Sequence, residues 1–97
     1  MDFIQFNQQA SKVGIGTNTS ERLALRVLHQ IGSMSLSELG KATTLSRAAV
    51  TSLADRLERT GLATRKPHET DRRRIDFSLT RRGAEQVEMV LSGATAE

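Results

Sequence analysis

The segment from Glu69 to Thr80 constrains the fold of this chain more than any other part of the sequence. It places the run Arg72–Arg74 between residues 62–66 and 75–79, two stretches in which apolar and polar residues alternate as in half-buried strands. We therefore predict a β-hairpin, the wing, with a basic tip. Like charges destabilise such a tip unless an anion lies opposite, and duplex DNA carries one negative charge about every 1.7 Å of its axis. The hairpin therefore favours a DNA-binding function.

Two capped helices joined by a tight turn precede the wing. Residues Ser35–Glu38 have the sequence of a capping box. In this motif the side chains of the first and last residues, Ser35 and Glu38, each accept a hydrogen bond from a backbone N–H of the first helical turn. Ser46 begins the second helix, and Thr44–Leu45 is too short to form anything but a turn. Gly61 stands where the end of a helix needs a left-handed residue. The pattern predicts a helix-turn-helix over residues 35–61.

The remaining segments complete a single domain over residues 1–97, mainly α-helical with a small β-hairpin, that is, a winged helix-turn-helix. We predict an N-terminal helical segment over residues 1–16, the wing over residues 62–79 and a C-terminal helix over residues 80–97. A mostly buried helix begins near Asn18. Its apolar residues are expected to face the core: Leu23, Leu25, Val27, Leu28 and Ile31.

Charge and composition narrow the function classes. The net charge is +3, and residues 61–82 hold seven basic and three acidic residues, whereas residues 83–97 hold three acidic and no basic residues. A localised basic surface is typical of anion binding, and a solvated charged loop is the alternative. The absence of cysteine excludes a disulfide framework and a thiol-based oxidant sensor, and the two histidines give no metal-ligand spacing. With no signal peptide or membrane-spanning apolar run, we expect a soluble cytoplasmic protein.

The second helix of the helix-turn-helix has one apolar face, formed by Val50, Leu53, Ala54 and Leu57. Its opposite face carries Ala48, Thr51, Ser52, Asp55 and Arg59. Small side chains allow a helix to enter a major groove about 12 Å wide, where Arg47 would reach a guanine or a phosphate. The Asp55 carboxylate would then pair with Arg59 or accept from a cytosine amino group. A solvated helix face is the alternative interpretation.

Asp71 and Arg73 are two residues apart in the wing, so strand geometry would place them on the same side. One interpretation is that Asp71 orients a basic neighbour while Arg73 enters the minor groove, where A·T-rich DNA concentrates negative potential. The alternative is a surface ion pair, which stabilises a fold by only about 0–1 kcal/mol. One aspartate does not account for Arg72 and Arg74, and we expect folding to need none of the three arginines.

Residues 46–51, 57–62 and 71–83 resemble the recognition helix, the helix exit and the wing of MarR-type transcriptional regulators. The Asp-x-Arg of the wing, followed in register by Leu-Thr-x-x-Gly, is the specific part of the resemblance. The resemblance extends over about residues 21–83.

The resemblance implies a winged-helix homodimer that binds pseudo-palindromic operators in double-stranded DNA. It implies that Arg73 is the minor-groove arginine, with Asp71 as its partner. It also implies that Arg47, Ala48, Thr51 and Ser52 face the major groove. Family members are usually longer, with intertwined terminal helices that form the dimer. Here about 16 residues precede the core and 14 follow Gly83, so we expect either a truncated chain or one that dimerises through shortened terminal helices.

Two sets of candidate site residues follow. Twelve residues are predicted to contact DNA: Ser35, Ser37, Ser46, Arg47, Ala48, Thr51, Ser52, Arg56, Asp71, Arg72, Arg73 and Arg74. Seven apolar residues at the two ends are predicted to form a homodimer contact: Phe3, Ile4, Phe6, Val13, Val87, Val90 and Leu91. The alternative is that these seven residues cap the core of the monomer.

The leading hypothesis is a sequence-specific regulator that binds double-stranded DNA. The alternative is a winged-helix interaction module whose basic wing binds an acidic protein. An enzyme is not predicted, because His29 lies in an apolar helix and His68, at the wing entry, has no serine, cysteine or carboxylate arrangement around it. We predict no cofactor and no metal. A small-molecule effector is compatible with the family resemblance, but no residue pattern indicates one.

Overall fold

A computed structural model of the chain describes residues 1–93, which form five α-helices and a three-stranded antiparallel sheet. In chain order the elements are α1 Phe3–Val13, α2 Thr19–Ile31, β1 Met34–Ser35, α3 Leu36–Thr43, α4 Arg47–Arg59, β2 Ala63–Pro67, β3 Ile75–Leu79 and α5 Arg81–Leu91. Helices α3 and α4 form the helix-turn-helix, and β2 and β3 form the wing. This architecture confirms the predicted fold class.

Helix starts are set by local side-chain caps, as the sequence predicted. The Ser35 Oγ accepts a hydrogen bond from the Glu38 backbone N–H at 3.1 Å, and the Glu38 Oε1 accepts one from the Ser35 N–H at 2.9 Å. This capping box fixes the first turn of α3. Ser46 and Thr80 cap α4 and α5 by accepting from the backbone N–H three residues ahead.

The turn between the two helices of the helix-turn-helix is as tight as predicted. Helix α3 ends at Thr44, which adopts the left-handed conformation at a φ of 58° and donates its N–H to carbonyl groups of the last turn. Leu45 follows with a hydrogen bond to the Gly40 carbonyl at 2.9 Å, and Ser46 then begins α4. The short connection brings the two helices into contact with each other.

The sheet has the order β1-β3-β2, and both of its pairings are antiparallel. Strand β1 was not predicted, because two residues give no alternating pattern. It pairs Met34 with Phe77 and Ser35 with Asp76, which places the start of α3 beside the wing. Phe77 is fully buried, whereas Ile75, paired with Pro67 at the outer end of the hairpin, is exposed.

One hydrophobic core lies between the helices and the sheet. Its buried members are Phe6, Ala10, Ile15, Ala24, Leu25, Leu28, Met34, Leu39, Val50, Leu53, Ala54, Leu57, Leu62, Ala63, Phe77, Val87 and Val90. The apolar face predicted for α4 is therefore confirmed. Of the residues predicted to be buried in α2, Leu25 and Leu28 are buried, whereas Ile31, the last residue of the helix, is 64% exposed.

The core corrects part of the predicted dimer contact. Phe6, Val87 and Val90 are buried within the single chain, because α1 and α5 pack against each other and against α2. A side chain without exposed surface offers no apolar area to a second copy, so these three residues cap the monomer core instead. Ile4 remains 69% exposed. The other predicted contact residues are partly buried: Phe3, Val13 and Leu91.

Gly83 allows α5 to pack directly on the chain that enters the wing. A Cβ atom at Gly83 would lie 2.0 Å from the Leu62 carbonyl oxygen, which also accepts the Thr80 N–H at 3.0 Å. Helix α5 ends at Leu91, so the predicted helix over residues 80–97 is shorter than expected, and residues 94–97 lie outside the described residues. Within residues 1–93, every helix is too short or too polar to cross a membrane.

Candidate nucleic-acid interface

The outward face of α4 carries the small residues that the sequence assigned to DNA contact. Ala48, Thr51 and Ser52 are exposed, and Arg47 is exposed at the start of the helix. The Thr51 hydroxyl donates to the Arg47 carbonyl at 2.9 Å, which holds this side chain close to the helix. These three positions therefore carry no bulky side chain that would keep the helix out of a groove.

A groove of about 910 Å³ runs between α3 and α4 and gathers predicted residues from both helices. Ser37 of α3 lines it opposite Ser46, Arg47 and Thr51 of the second helix. Lys41, which the sequence reasoning did not single out, lies in the same groove. Its position four residues after Ser37 is the signal that could have identified it, because residues four apart share a helix face. Ser35, also among the predicted DNA contacts, is the N-cap of α3 that the capping-box pattern predicted.

The wing tip presents Arg72 and Arg73 to solvent. The Arg73 side chain is 95% exposed, and its Nε lies 3.8 Å from the Asp71 Oδ1. The same carboxylate oxygen accepts the Arg73 backbone N–H at 3.0 Å. Asp71 therefore organises the turn through the backbone and contacts the guanidinium group only loosely. The eight ion pairs within residues 1–93 involve neither Arg47 nor Arg72.

His68 shapes the wing turn, a role that the sequence reasoning missed. Its Nδ1 accepts the backbone N–H groups of Thr70 at 3.2 Å and Asp71 at 3.1 Å, which requires an unprotonated Nδ1. Its own backbone N–H donates to the Arg74 carbonyl at 3.0 Å. The loop that carries the arginines is thus tied down at both ends.

Arg74 is held by two close ion pairs within the fold, a difference from Arg72 and Arg73 that the sequence did not predict. Its Nε donates to the Asp76 Oδ1 at 2.6 Å, and its Nη2 donates to the Glu38 Oε1 at 2.5 Å. The two carboxylates raise the pKa of Arg74, chiefly through the hydrogen bond to Asp76. Hydrogen bonds from Ser35, and then the Arg74 charge, lower the pKa of Glu38. Arg74 therefore joins the wing to the start of α3.

Arg56 also forms an ion pair within the fold, while its side chain remains 40% exposed. Its Nε donates to the Glu21 Oε2 at 2.7 Å, and the Glu21 side chain is only 2% exposed. Thr17 donates to the same carboxylate through its hydroxyl and its backbone N–H. Burial raises the pKa of Glu21, but hydrogen bonds from Thr17 and Arg56 outweigh it, so the pKa lies below its usual value. The pair fastens α4 to the start of α2.

Asp55 does not pair with Arg59 as the sequence suggested. It accepts instead from the Arg65 Nη2 at 3.0 Å, and Glu58 also pairs with this guanidinium group. Arg65 belongs to strand β2, so the contact joins the wing to α4. One guanidinium group of the wing thereby offsets part of the negative charge of two carboxylates that would repel DNA.

A MarR family model matches residues 18–75, which are more than half of the chain. This chain belongs to the MarR family. The matched range contains the helix-turn-helix and the wing up to Ile75, which is the part of the fold that carries the candidate interface.

Two relatives in Bacillus subtilis (strain 168) are named as transcriptional regulators, in agreement with the prediction that the chain is not an enzyme. The HTH-type transcriptional repressor MdtR is 38% identical over 81 residues, 84% of this chain and 52% of that protein. The uncharacterized HTH-type transcriptional regulator YcgE is 39% identical over 67 residues, 69% of this chain and 44% of that protein. The chain thus spans about half the length of the curated relatives it matches.

Solved structures share the fold over nearly all of this chain. The YusO protein from Bacillus subtilis superposes with a TM-score of 0.73 at 34% identity, covering 93% of this chain and 62% of that one. RV1404 from Mycobacterium tuberculosis superposes with a TM-score of 0.82 at 26% identity, covering 92% and 61%. Overoxidized AbfR bound to DNA superposes with a TM-score of 0.72 at 27% identity, covering 92% and 64%.

Proposed function

We propose that this chain is a sequence-specific transcriptional regulator that binds double-stranded DNA. The outward face of α4 enters the major groove, and the wing tip lies at the adjacent minor groove. Arg47 and the α3–α4 groove contact phosphates and base edges, Ala48, Thr51 and Ser52 face the bases, and Arg73 enters the minor groove. The relatives named as regulators and the solved DNA complex of a similar protein support this assignment.

The observation that carries the proposal is the continuity between α4 and the wing. Asp55 is four residues beyond Thr51, so both lie on the outward face of α4. Arg65 of the wing binds Asp55 on that face, so the small residues of α4 lead directly onto the hairpin. The hairpin then extends to Arg72 and Arg73, and within residues 1–93 no close ion pair holds either side chain in place. A continuous surface with free positive charge at one end fits the alternation of grooves and phosphates along a duplex.

An acidic protein partner is the competing function, because it too would bind the free arginines. Salt dependence distinguishes the two, since each neutralised phosphate releases condensed counterions and steepens the loss of affinity with salt. Selection of bound duplexes from a random pool, followed by titration of the recovered duplex at several salt concentrations, is the test. We expect enrichment of one motif and a steep salt slope. Failure to bind any duplex at low salt would contradict the proposal.

We further propose that the protein acts as a homodimer on a pseudo-palindromic operator. One short recognition helix reads few base pairs, and a second copy would double the site, with half-sites about 34 Å apart. The exposed Ile4 on α1 is the predicted contact residue that the monomer core leaves most accessible. The symmetry of the selected motif reports on this arrangement directly.

A further inference from the structure

Two arginines of the wing bind the two helices of the helix-turn-helix, one arginine to each helix. Arg65 of β2 binds Asp55 and Glu58 on α4. Arg74, just before β3, binds Glu38 on α3 and Asp76 within the wing. The hairpin is therefore attached to both helices by charged side chains as well as by the sheet.

We propose that Arg74 is a positioning residue that makes the wing and the helix-turn-helix bind DNA as one rigid unit. This inference rests on the proposed function, and it concerns how Arg72 and Arg73 are held rather than which groups touch DNA. Arg74 binds its two carboxylates through different nitrogens, Nε to Asp76 and Nη2 to Glu38. A planar guanidinium group can bridge two acceptors in this way, whereas a lysine ammonium group offers a single point of charge.

The location of Glu38 explains how the contact acts on the wing. The Glu38 Oε1 accepts both the Ser35 N–H of the α3 capping box and the Arg74 guanidinium group. Ser35 is in turn paired with Asp76 across the β1–β3 ladder. The Glu38 carboxylate thus contacts both Ser35, which caps α3 and belongs to β1, and Arg74 at the base of the wing tip. Loosening Arg74 should free the tip residues without removing a charge from them.

The Glu38→Gln variant separates positioning from electrostatics. Glutamine is accepted in a capping box, so the α3 cap is retained while the ion pair with Arg74 is lost. Charge alone predicts tighter DNA binding, because the substitution removes a negative charge beside Arg74. The positioning role predicts the opposite, a loss of affinity of roughly three- to tenfold for a duplex recovered by selection. The sign of the effect therefore decides between the two accounts.

Arg74→Lys provides the second variant, because it keeps the charge and removes the two-pronged contact. We expect it to weaken binding as much as Glu38→Gln, and we expect the double variant to be no weaker than either single variant. Both losses should become smaller in an Arg73→Ala background, where one of the two tip arginines to be positioned is absent. Glu85→Gln, which removes a carboxylate from the exposed Arg81 pair on α5, is the matched control and should leave affinity unchanged.

Hydrogen exchange tests the same contact without DNA. The His68 N–H donates to the Arg74 carbonyl, and the Arg74 N–H donates to the Asp71 carbonyl. Both amides should exchange faster in Glu38→Gln and in Arg74→Lys than in the wild type, at an unchanged melting temperature. Unchanged exchange together with equal or tighter DNA binding by Glu38→Gln would overturn the positioning role. An equal loss of affinity in the Arg73→Ala background would also overturn it, in favour of a general effect on the fold.

The outcomes separate this inference from the proposed function. If the wild type binds the selected duplex and Arg47→Ala weakens it while Glu38→Gln does not, positioning by Arg74 is wrong and DNA binding stands. If selection recovers no duplex, the proposed function fails, and the positioning role fails with it.

Discussion

At the scale of single residues, the arginines divide into those that hold the fold together and those left free to bind. Arg74 and Arg65 each contact two carboxylates, whereas Arg72 and Arg73 point into solvent. The sequence predicts a basic wing but not this division. The Arg74–Glu38 contact joins positions 36 residues apart, and periodicity carries no information at that separation.

Gly83 stands out in the sequence as part of the Leu-Thr-x-x-Gly pattern, but the sequence does not explain why a glycine is needed there. The packing of α5 on Leu62 gives the reason, because a Cβ atom at this position would overlap the Leu62 carbonyl oxygen.

Gly83→Ala should therefore destabilise the fold by about 1–3 kcal/mol, the usual cost of overpacking a tight contact. Urea unfolding of the variant and the wild type measures the difference. Glu85→Ala, an exposed change in the same helix, should stay within about 0.5 kcal/mol. A Gly83→Ala protein as stable as the wild type would show that α5 can shift freely.

At the scale of elements, local signals predicted most of the fold. The caps of α3, α4 and α5 and the hairpin strands were all identified, because each depends on residues only a few positions apart. Strand β1 was missed for lack of length. The anchoring of α4 by Glu21 and Arg56 was missed because it joins positions 35 residues apart. Local sequence patterns place Arg56 among the predicted DNA contacts, because they do not show that the Glu21 carboxylate lies beside it.

The Glu21–Arg56 pair should measurably stabilise the attachment of α4. Glu21→Gln is expected to lower the free energy of unfolding by about 1–3 kcal/mol, since hydrogen bonds to a buried charged group are stronger than neutral ones. Urea unfolding near neutral pH measures this loss. Glu85→Gln, in an exposed pair, is the matched control and should change stability by less than about 0.5 kcal/mol.

The pH dependence of the same variants follows from the direction of the pKa shift. Because the folded pKa of Glu21 lies below its ordinary value of 4.5, its contribution is complete above that value and is lost as the pH falls through the folded pKa. The stability difference between wild type and Glu21→Gln should therefore shrink as the pH is lowered below 4.5. A difference that stays constant with pH would show that the Glu21 charge does not stabilise the fold.

At the scale of the whole molecule, the terminal helices α1 and α5 contribute buried side chains to the core of the monomer. Deleting residues 1–13 would remove Phe6 and Ala10 from that core, so loss of a dimer in such a variant would be uninformative. A surface substitution is the cleaner test of self-association.

Ile4→Glu should weaken self-association and operator binding together while leaving the melting temperature unchanged, because Ile4 is exposed in the single chain. Sedimentation of both proteins over a range of concentrations measures the effect. Ile75→Glu, an exposed apolar residue on the wing, is the matched control for self-association. A wild-type protein that remains monomeric at high micromolar concentration would contradict the dimer.

The central claim is that α4 and the wing together read DNA, and one titration tests it most directly. The duplex recovered by selection is titrated with wild type, Ala48→Leu and Arg73→Ala at two or more salt concentrations. Ala48→Leu should abolish close approach to the major groove. Arg73→Ala should cost about 1–3 kcal/mol of affinity and reduce the salt slope by about one if it also neutralises a phosphate. Both should melt like the wild type. Wild-type affinity and salt slope in both variants would contradict the account.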